Sequence, residues 1–535
     1  MSEPDSEQPA AGTDELPKKI FRGRGVTASE RLLADLGDHA FLDLWSYPNL
    51  FYEKKTGGKG DGKEMCDMLV VCGDDIIIFS DKAIKWQDDR PLEVAWPRFY
   101  RNAIEEAVKQ INGAANWIDR FPDKIFTDPA CTQKLPIELP PVDTRRMHGV
   151  VIATGAQLAI KQHYNDDSGS FPIVPHFKGR DAIDFSQPNF FPFGIGDVNP
   201  DGMFIHVFDD LSIRRVIEHL DTITDFTQYL NERARYLRTD RLALAYGEEE
   251  LLALYLDSTM RNNGVPTFEL PRPKALKDYV RITAQGEWRA YLMSDAYFTK
   301  KMADEVSYVW DKLIKLFTEN ILGGTSVEIL DTPPDTVLAE RGLRYMALET
   351  RFFRRILGRS IVELLQRAHQ GKEIRHARGM LSTSGSATRR QAYLFLFLVL
   401  AYPDNLEKGG ELPGGYSQYR RTRAQMLQAY CLVLLHKHRD IDVVVGIAVD
   451  ARWTEKGHQG GSEDLMAVSI DEWTDELVAD ALKAQEQFDI FREDKMQYSH
   501  MHATDYPNKA GSASRQKRTS RHRKKNNPFR PQKGK

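Results

Sequence analysis

An aspartate set among apolar residues is costly to bury unless a cation or a metal offsets its charge, and Asp67 in Glu64-Met65-Cys66-Asp67-Met68-Leu69-Val70-Val71 is such a residue. A second apolar run, Ile76-Ile77-Ile78-Phe79-Ser80-Asp81-Lys82, ends on a lysine. Metal-assisted hydrolysis of a phosphodiester needs carboxylates to hold Mg²⁺, a cation to stabilise charge on the attacked phosphate and a water placed in line. The turn residues Gly73-Asp74-Asp75 between the runs predict a β-hairpin that could bring these groups to one face. A turn with an even number of residues, such as Asp74-Asp75 alone, sets Asp67 opposite Lys82 with Ser80 beside them. An odd one, such as Gly73 to Asp75, brings Asp81 to the face of Asp67 and turns Lys82 away.

Other elements must hold this hairpin. Upstream, a helical pattern begins at Thr27, with Leu32, Leu33, Leu36 and Ala40 on its apolar face, and Trp45-Ser46-Tyr47-Pro48 breaks it. Thr27-Ala28-Ser29-Glu30 has the form of a capping box, so Glu30 has a structural use as well as a chemical one. Thr56 to Lys63 reads as a Gly/Lys-rich loop, and apolar residues from Tyr100 to Ile118 recur at helical spacing. The Pro-rich stretch Leu135 to Val142 predicts a boundary. Beyond it lie strands at Gly149 to Ala153 and Met203 to Phe208, then a helix from Ser212 to Leu220. Further on, the pattern predicts one long basic helix from Thr336 to Ala368, an apolar run at Tyr393, a helix from Tyr419 to His436, a strand at Val443 to Val449 and a helix from Asp471 to Phe488. The organisation expected is disorder over 1–20, a first domain over 21–134, a second α/β segment over 135–240, a helix-rich α/β region over 241–505 and a basic tail over 506–535.

The hairpin motifs resemble the two central strands of the PD-(D/E)xK restriction-endonuclease-like nucleases, in their nuclease-related-domain branch. Ala28-Ser29-Glu30-Arg31-Leu32-Leu33 is similar to that family's first helix, and Val108-Lys109-Gln110 to the helix after its third strand. The resemblance covers roughly residues 25 to 120. It implies an α/β fold whose N-terminal restriction-endonuclease-like core is a mixed sheet flanked by helices, followed here by further α/β and mainly helical domains. It also implies a hydrolase: a nuclease using Mg²⁺ or Mn²⁺ on DNA or RNA, with a place in bacterial defence, phage defence included, or in nucleic-acid turnover. Carried over by position, Asp67 is the first metal ligand, Lys82 the phosphate-facing lysine, Glu30 an accessory carboxylate and Gln110 a polar contact to substrate or metal water. The family's second carboxylate, two residues before the lysine, is Ser80 here. Glu64, Asp81 or Glu30 could restore the charge, with Glu64 first because a loop just before the strand can aim it. The alternative is a catalytically degenerate nuclease fold that serves as a nucleic-acid-binding or assembly module.

Composition sets bounds on these readings. With 535 residues, 41% of them hydrophobic, the chain has material for more than one core. No apolar run approaches the roughly 20 residues of a bilayer helix, so the expectation is a cytoplasmic protein without a membrane partner. The cysteines Cys66, Cys72, Cys131 and Cys431 lack zinc-ligand spacing and are expected as buried thiols. Residues 509–535 carry eleven Lys and Arg and no acid, which leaves −15 on residues 1–508 out of a whole-chain net charge of −4. Arg515, Lys517, Arg518, Arg521, Arg523, Lys524 and Lys525 form the densest part of this polycation, expected to tether phosphate polymers without reading bases. Arg344, Arg351, Arg354, Arg355 and Arg359 suit either an ion-paired face or a nucleic-acid face, with Phe352 and Phe353 as core or as stacking rings. His148, His163 and His206 lack metal spacing and are expected as core or surface residues. A protein partner or self-association would fall to the C-terminal region.

Overall fold

The structure, a computed structural model, describes residues 42–53, 62–165, 168–261, 266–268, 280–323, 336–370, 375–381, 392–401, 415–451, 453–454, 457–458 and 463–491. The expected helix from Thr27, Glu30 within it, and the basic tail from Arg515 to Lys525 lie outside the described residues.

Strand β1 (Ser46–Tyr52) pairs antiparallel with β2 (Lys63–Cys72), and β2 pairs antiparallel with β3 (Asp75–Ala83). Cys72 faces Asp75 across a two-residue turn, Gly73-Asp74, in which Gly73 takes φ +61, a conformation open to glycine at little cost. The turn is therefore even-numbered, but one residue earlier than Asp74-Asp75. Helix α1 (Leu92–Phe99), a π-helical turn over Tyr100–Glu105 and α2 (Glu106–Arg120) then lead across the sheet. Strand β4 (Arg146–Thr154) returns parallel to β3 along its full length, from Asp75 opposite Arg146 to Ala83 opposite Thr154.

After β4 come α3 (Gln157–Tyr164), β5 (Ile173–Lys178), β6 (Ile195–Asp197) and β7 (Ile205–Phe208). β7 closes the first sheet in the order β1-β2-β3-β4-β7, while β5 and β6 join β8 (Leu242–Ala245) and β9 (Arg281–Thr283) in a smaller sheet. The Pro-rich connector was expected to separate two domains. It instead joins two halves of one sheet, because β3 has an open edge that only a parallel strand from beyond the connector fills. Asp75 pins that pairing: it accepts from both sides of the Arg146 guanidinium and contacts His148 at 2.8 Å. Burial works against its charge, yet the hydrogen bonds from His148 and Arg146 hold its carboxyl below the usual carboxylate range.

Alternation along β2 and β3 divides the core. Leu69, Val71, Ile76 and Ile78 pack under Ala107, Ile111 and Ala114 of α2, whereas Met68, Val70, Ile77 and Phe79 face the other way. That second face meets a helical layer containing α4 (Thr336–Ala347) and α5 (Arg351–Gln370). On its far side the layer covers a second mixed sheet of β10 (Arg375–Leu381), β11 (Tyr393–Ala401), β12 (Val443–Ala451) and β13 (Glu463–Ser469). Trp310, fully buried, packs against Phe395 and Phe397 of that sheet. Helix α6 (Gly415–Lys437) crosses from β11 to the parallel β12 and buries Leu427, Cys431 and Leu434 on the outer face. Helices thus flank two mixed sheets in an α/β architecture, and further α/β and helical regions follow the N-terminal one.

The long basic helix expected from Thr336 to Ala368 is two helices, α4 and α5, broken between Ala347 and Arg351. Asp225 accepts from the Arg351 backbone N–H at 2.7 Å and so caps α5. Of the five arginines, four take the ion-paired role, Arg344 with Glu340, and Arg359 is exposed. Arg351 is buried and bonds Asp221 and Asp311, Arg354 bonds Asp311, and Arg355 bonds Asp304. Phe353 is buried beneath them. Charges this far from water need carboxylate partners, and here each has one. No described helix is long and apolar enough to cross a membrane.

Candidate functional site

Past the Met68–Phe79 pair, the ladder brings Asp67 level with Ser80, with Lys82 one pair further along the same face. This face lies under α2. Asp67 is 6% exposed and Ser80 fully buried, while the Lys82 side chain is a quarter exposed. Lys82 Nζ stands 3.6 Å from Asp67 Oδ2 and donates to Gln110 Oε1 at 2.8 Å. The Ser80 hydroxyl donates to the same Gln110 oxygen at 2.8 Å, and the Asp81 backbone N–H donates to Asp67 Oδ2 at 2.6 Å. Residues from two strands and a helix therefore converge on one ammonium. Gln110 can do this because it lies at the edge of the buried stripe of α2, where a polar side chain reaches over the sheet without entering the core.

Two expected residues are placed differently. Asp81 follows Ser80, so alternation sends its side chain to the face opposite Asp67; it contributes a backbone N–H here. Glu64 stands exposed at the second position of β2, beyond the register shift between Leu50 and Phe51, and does not lie in a loop. Its charge is felt nearby: burial, then Asp67, then Glu64 push the Cys66 thiol well up. Among the described residues, no group of three or more His, Cys, Asp or Glu side chains could hold a metal ion. Among the described residues, Lys82 meets one carboxylate and one amide oxygen, and the Ser80 hydroxyl reaches that amide.

No family model, curated protein or solved structure matches this chain. The assignment of chemistry rests on the site itself.

Gly155 is a further residue of this corner that the motifs did not single out. The Ile84 N–H donates to the Thr154 carbonyl at 3.0 Å, extending the β3–β4 pairing two residues beyond Lys82. At Gly155, φ is +116, and a methyl group there would sit 1.9 Å from the Ile84 carbonyl oxygen. The signal available was a glycine directly after an apolar strand, which often marks close backbone approach. Gly155→Ala should lower stability by about 3 kcal/mol, from backbone strain and the clash together. Gly179→Ala, where φ is +56 and a methyl group meets nothing within 4 Å, should cost only about 1 kcal/mol. Urea midpoints of the two variants check this; equal losses would show that the close approach to Ile84 does not matter.

Proposed function

We propose that this chain is a metal-dependent nuclease that hydrolyses phosphodiester bonds of DNA or RNA. The observation that carries the reading is the Lys82 ammonium, a quarter exposed, held between the Asp67 carboxylate and the Gln110 amide oxygen. A lysine positioned this way can meet a phosphate oxygen while its stem stays packed. The chain order supports the same reading: an antiparallel hairpin, a helix carrying Gln110 and a parallel return strand agree with the resemblance to PD-(D/E)xK nucleases.

Asp67, Gln110 and Ser80 offer hard oxygen donors, which suit Mg²⁺ or Mn²⁺ rather than a softer metal. One carboxylate is few, but Mg²⁺ is commonly held by one or two carboxylates plus substrate phosphates. Asp67 would hold the ion jointly with the substrate, and Gln110, whose amide oxygen accepts from both Lys82 and Ser80, would orient the lysine; when bound, the ion would neutralise charge on the phosphate and acidify a water. Lys82 would contact the attacked phosphate. Ser80 fixes the Gln110 amide, and the Asp81 N–H fixes the Asp67 carboxylate. The cytoplasm is the compartment in which such an enzyme would meet its substrate.

The test is cleavage of single- and double-stranded DNA and RNA with Mg²⁺ or Mn²⁺, and its abolition by EDTA. Ser80→Asp would add the missing carboxylate beside Lys82 and should lower the Mg²⁺ concentration needed for half-maximal rate about tenfold. If the wild-type chain cuts nothing, calorimetry shows no Mn²⁺ binding, and nucleic acid is bound equally well in EDTA, the fold is a binding module.

A further inference from the structure

We propose that the substrate of this site is a single-stranded polynucleotide, whose unpaired bases stack on a surface of aromatic rings leading away from Lys82; this rests on the nuclease reading above. Ile84 and Trp86, just past the end of β3, pack against the core that lies on the Lys82 face of the sheet, and Trp86 is four residues beyond Lys82, at most about 14 Å along the chain. Half-buried Trp86 touches Phe193 at a ring separation of 5.3 Å. Phe193 is buried and serves as the hub: His163 meets it at 5.6 Å and Tyr164 at 6.5 Å. Tyr164 in turn lies nearly parallel to Phe191, at 5.4 Å and 12°.

His163 is exposed, and Tyr164, Phe191 and Trp86 are half-buried, so the rings gathered around the buried hub keep part of their surface in solvent. Both Tyr164 and His163 end α3, the helix that begins just past β4, next to Lys82 on β3. The Tyr164 hydroxyl donates to the Pro192 carbonyl at 2.5 Å, which ties the helix to the loop carrying Phe191.

Rings so arranged recognise bases by their faces, which a duplex keeps stacked on one another. A single strand can leave its phosphate at Lys82 and lay the following bases on Trp86, His163 and Phe191.

The experiment measures binding of the full chain to a labelled oligothymidylate of about 15 nucleotides and to the corresponding duplex, in EDTA and at moderate salt, where a polycationic tail contributes less. Phe191→Leu and His163→Ala should each weaken single-strand binding about 5- to 50-fold and change duplex binding less than about twofold. His163 is exposed, so its variant decides the matter even if Phe191→Leu fails to fold. Unchanged single-strand affinity in His163→Ala, or equal losses on single strand and duplex, overturns the proposal. Because EDTA removes catalysis from this measurement, a failed nuclease reading shows separately, as cleavage that Asp67 and Lys82 variants do not alter.

Discussion

Asp67→Asn should reduce the rate of cleavage by about 1000-fold or more while leaving nucleic-acid binding in EDTA near the wild-type level. The amide keeps the shape of the side chain and its hydrogen bond to the Asp81 N–H, but it removes the carboxylate that, among the described residues, pairs with Lys82. Lys82→Met should cost about as much in rate. Methionine preserves the packed stem and takes away the charge aimed at phosphate. Single-turnover cleavage by each variant, with thermal melts to show that both fold, provides the measurement. Lys82→Met should also be the less stable of the two, because it leaves the Asp67 charge, 6% exposed, without its cation. A variant pair that still cuts at the wild-type rate would remove the hydrolytic role from this corner.

Arg423→Ala should be the most damaging single change to the fold, at about 4 kcal/mol. Arg423 is fully buried, and its guanidinium bonds Asp450, also fully buried, and Asp464, the latter at 2.6 Å. Asp450 further accepts from Tyr416 at 2.9 Å and Tyr419 at 2.7 Å. Burial and the Asp450 carboxylate push the Tyr419 phenol well up, so it stays a donor. Removing the guanidinium breaks its ion pairs to both carboxylates at the junction of α6, β12 and β13, and Arg420, 3.2 Å from Asp464, remains for that carboxylate. Denaturant unfolding followed by the fluorescence of Trp310, which packs on the same sheet, reads the loss. Replacing the set together, as Arg423→Met with Asp450→Asn and Asp464→Asn, should recover part of it. No recovery would mean that the network does more than neutralise itself.

The central hairpin was legible because its apolar runs are β-branched and bounded by Gly73-Asp74-Asp75. Sequence alone left its register open, and with it the face of Asp81. That choice depends on where Gly73 takes a positive φ. Strand β1 was hidden behind Pro48, which ordinarily argues against a strand; β1 is an edge strand, where a missing N–H goes unpunished. The break between α4 and α5 has no Pro or Gly between Ala347 and Arg351; its local mark is Thr350, whose hydroxyl accepts from the Phe353 N–H at 3.3 Å, and Asp225, far away in the chain, adds a carboxylate that takes the Arg351 N–H. The arginines of α5 left an ion-paired face and a nucleic-acid face both open, and packing brings Asp221, Asp304 and Asp311 to Arg351, Arg354 and Arg355 and so decides for the first. Local chemistry therefore predicted elements well, and failed where a partner distant in sequence decides the outcome.

The parallel pairing of β3 with β4 also governs how the chain comes off the ribosome. The side chains that meet the Lys82 ammonium, Asp67 and Gln110, are synthesised by residue 110, yet the strand that covers the open side of β3 begins only at Arg146. A nascent or proteolysed chain ending near residue 134 would carry the chemical groups on a sheet with one bare apolar edge, from Asp75 to Ala83. Such an edge is a template for pairing with another copy of itself. The smallest piece able to hold the site without aggregating must reach past Thr154, and the motif-bearing fragment taken alone should be found in inclusion bodies.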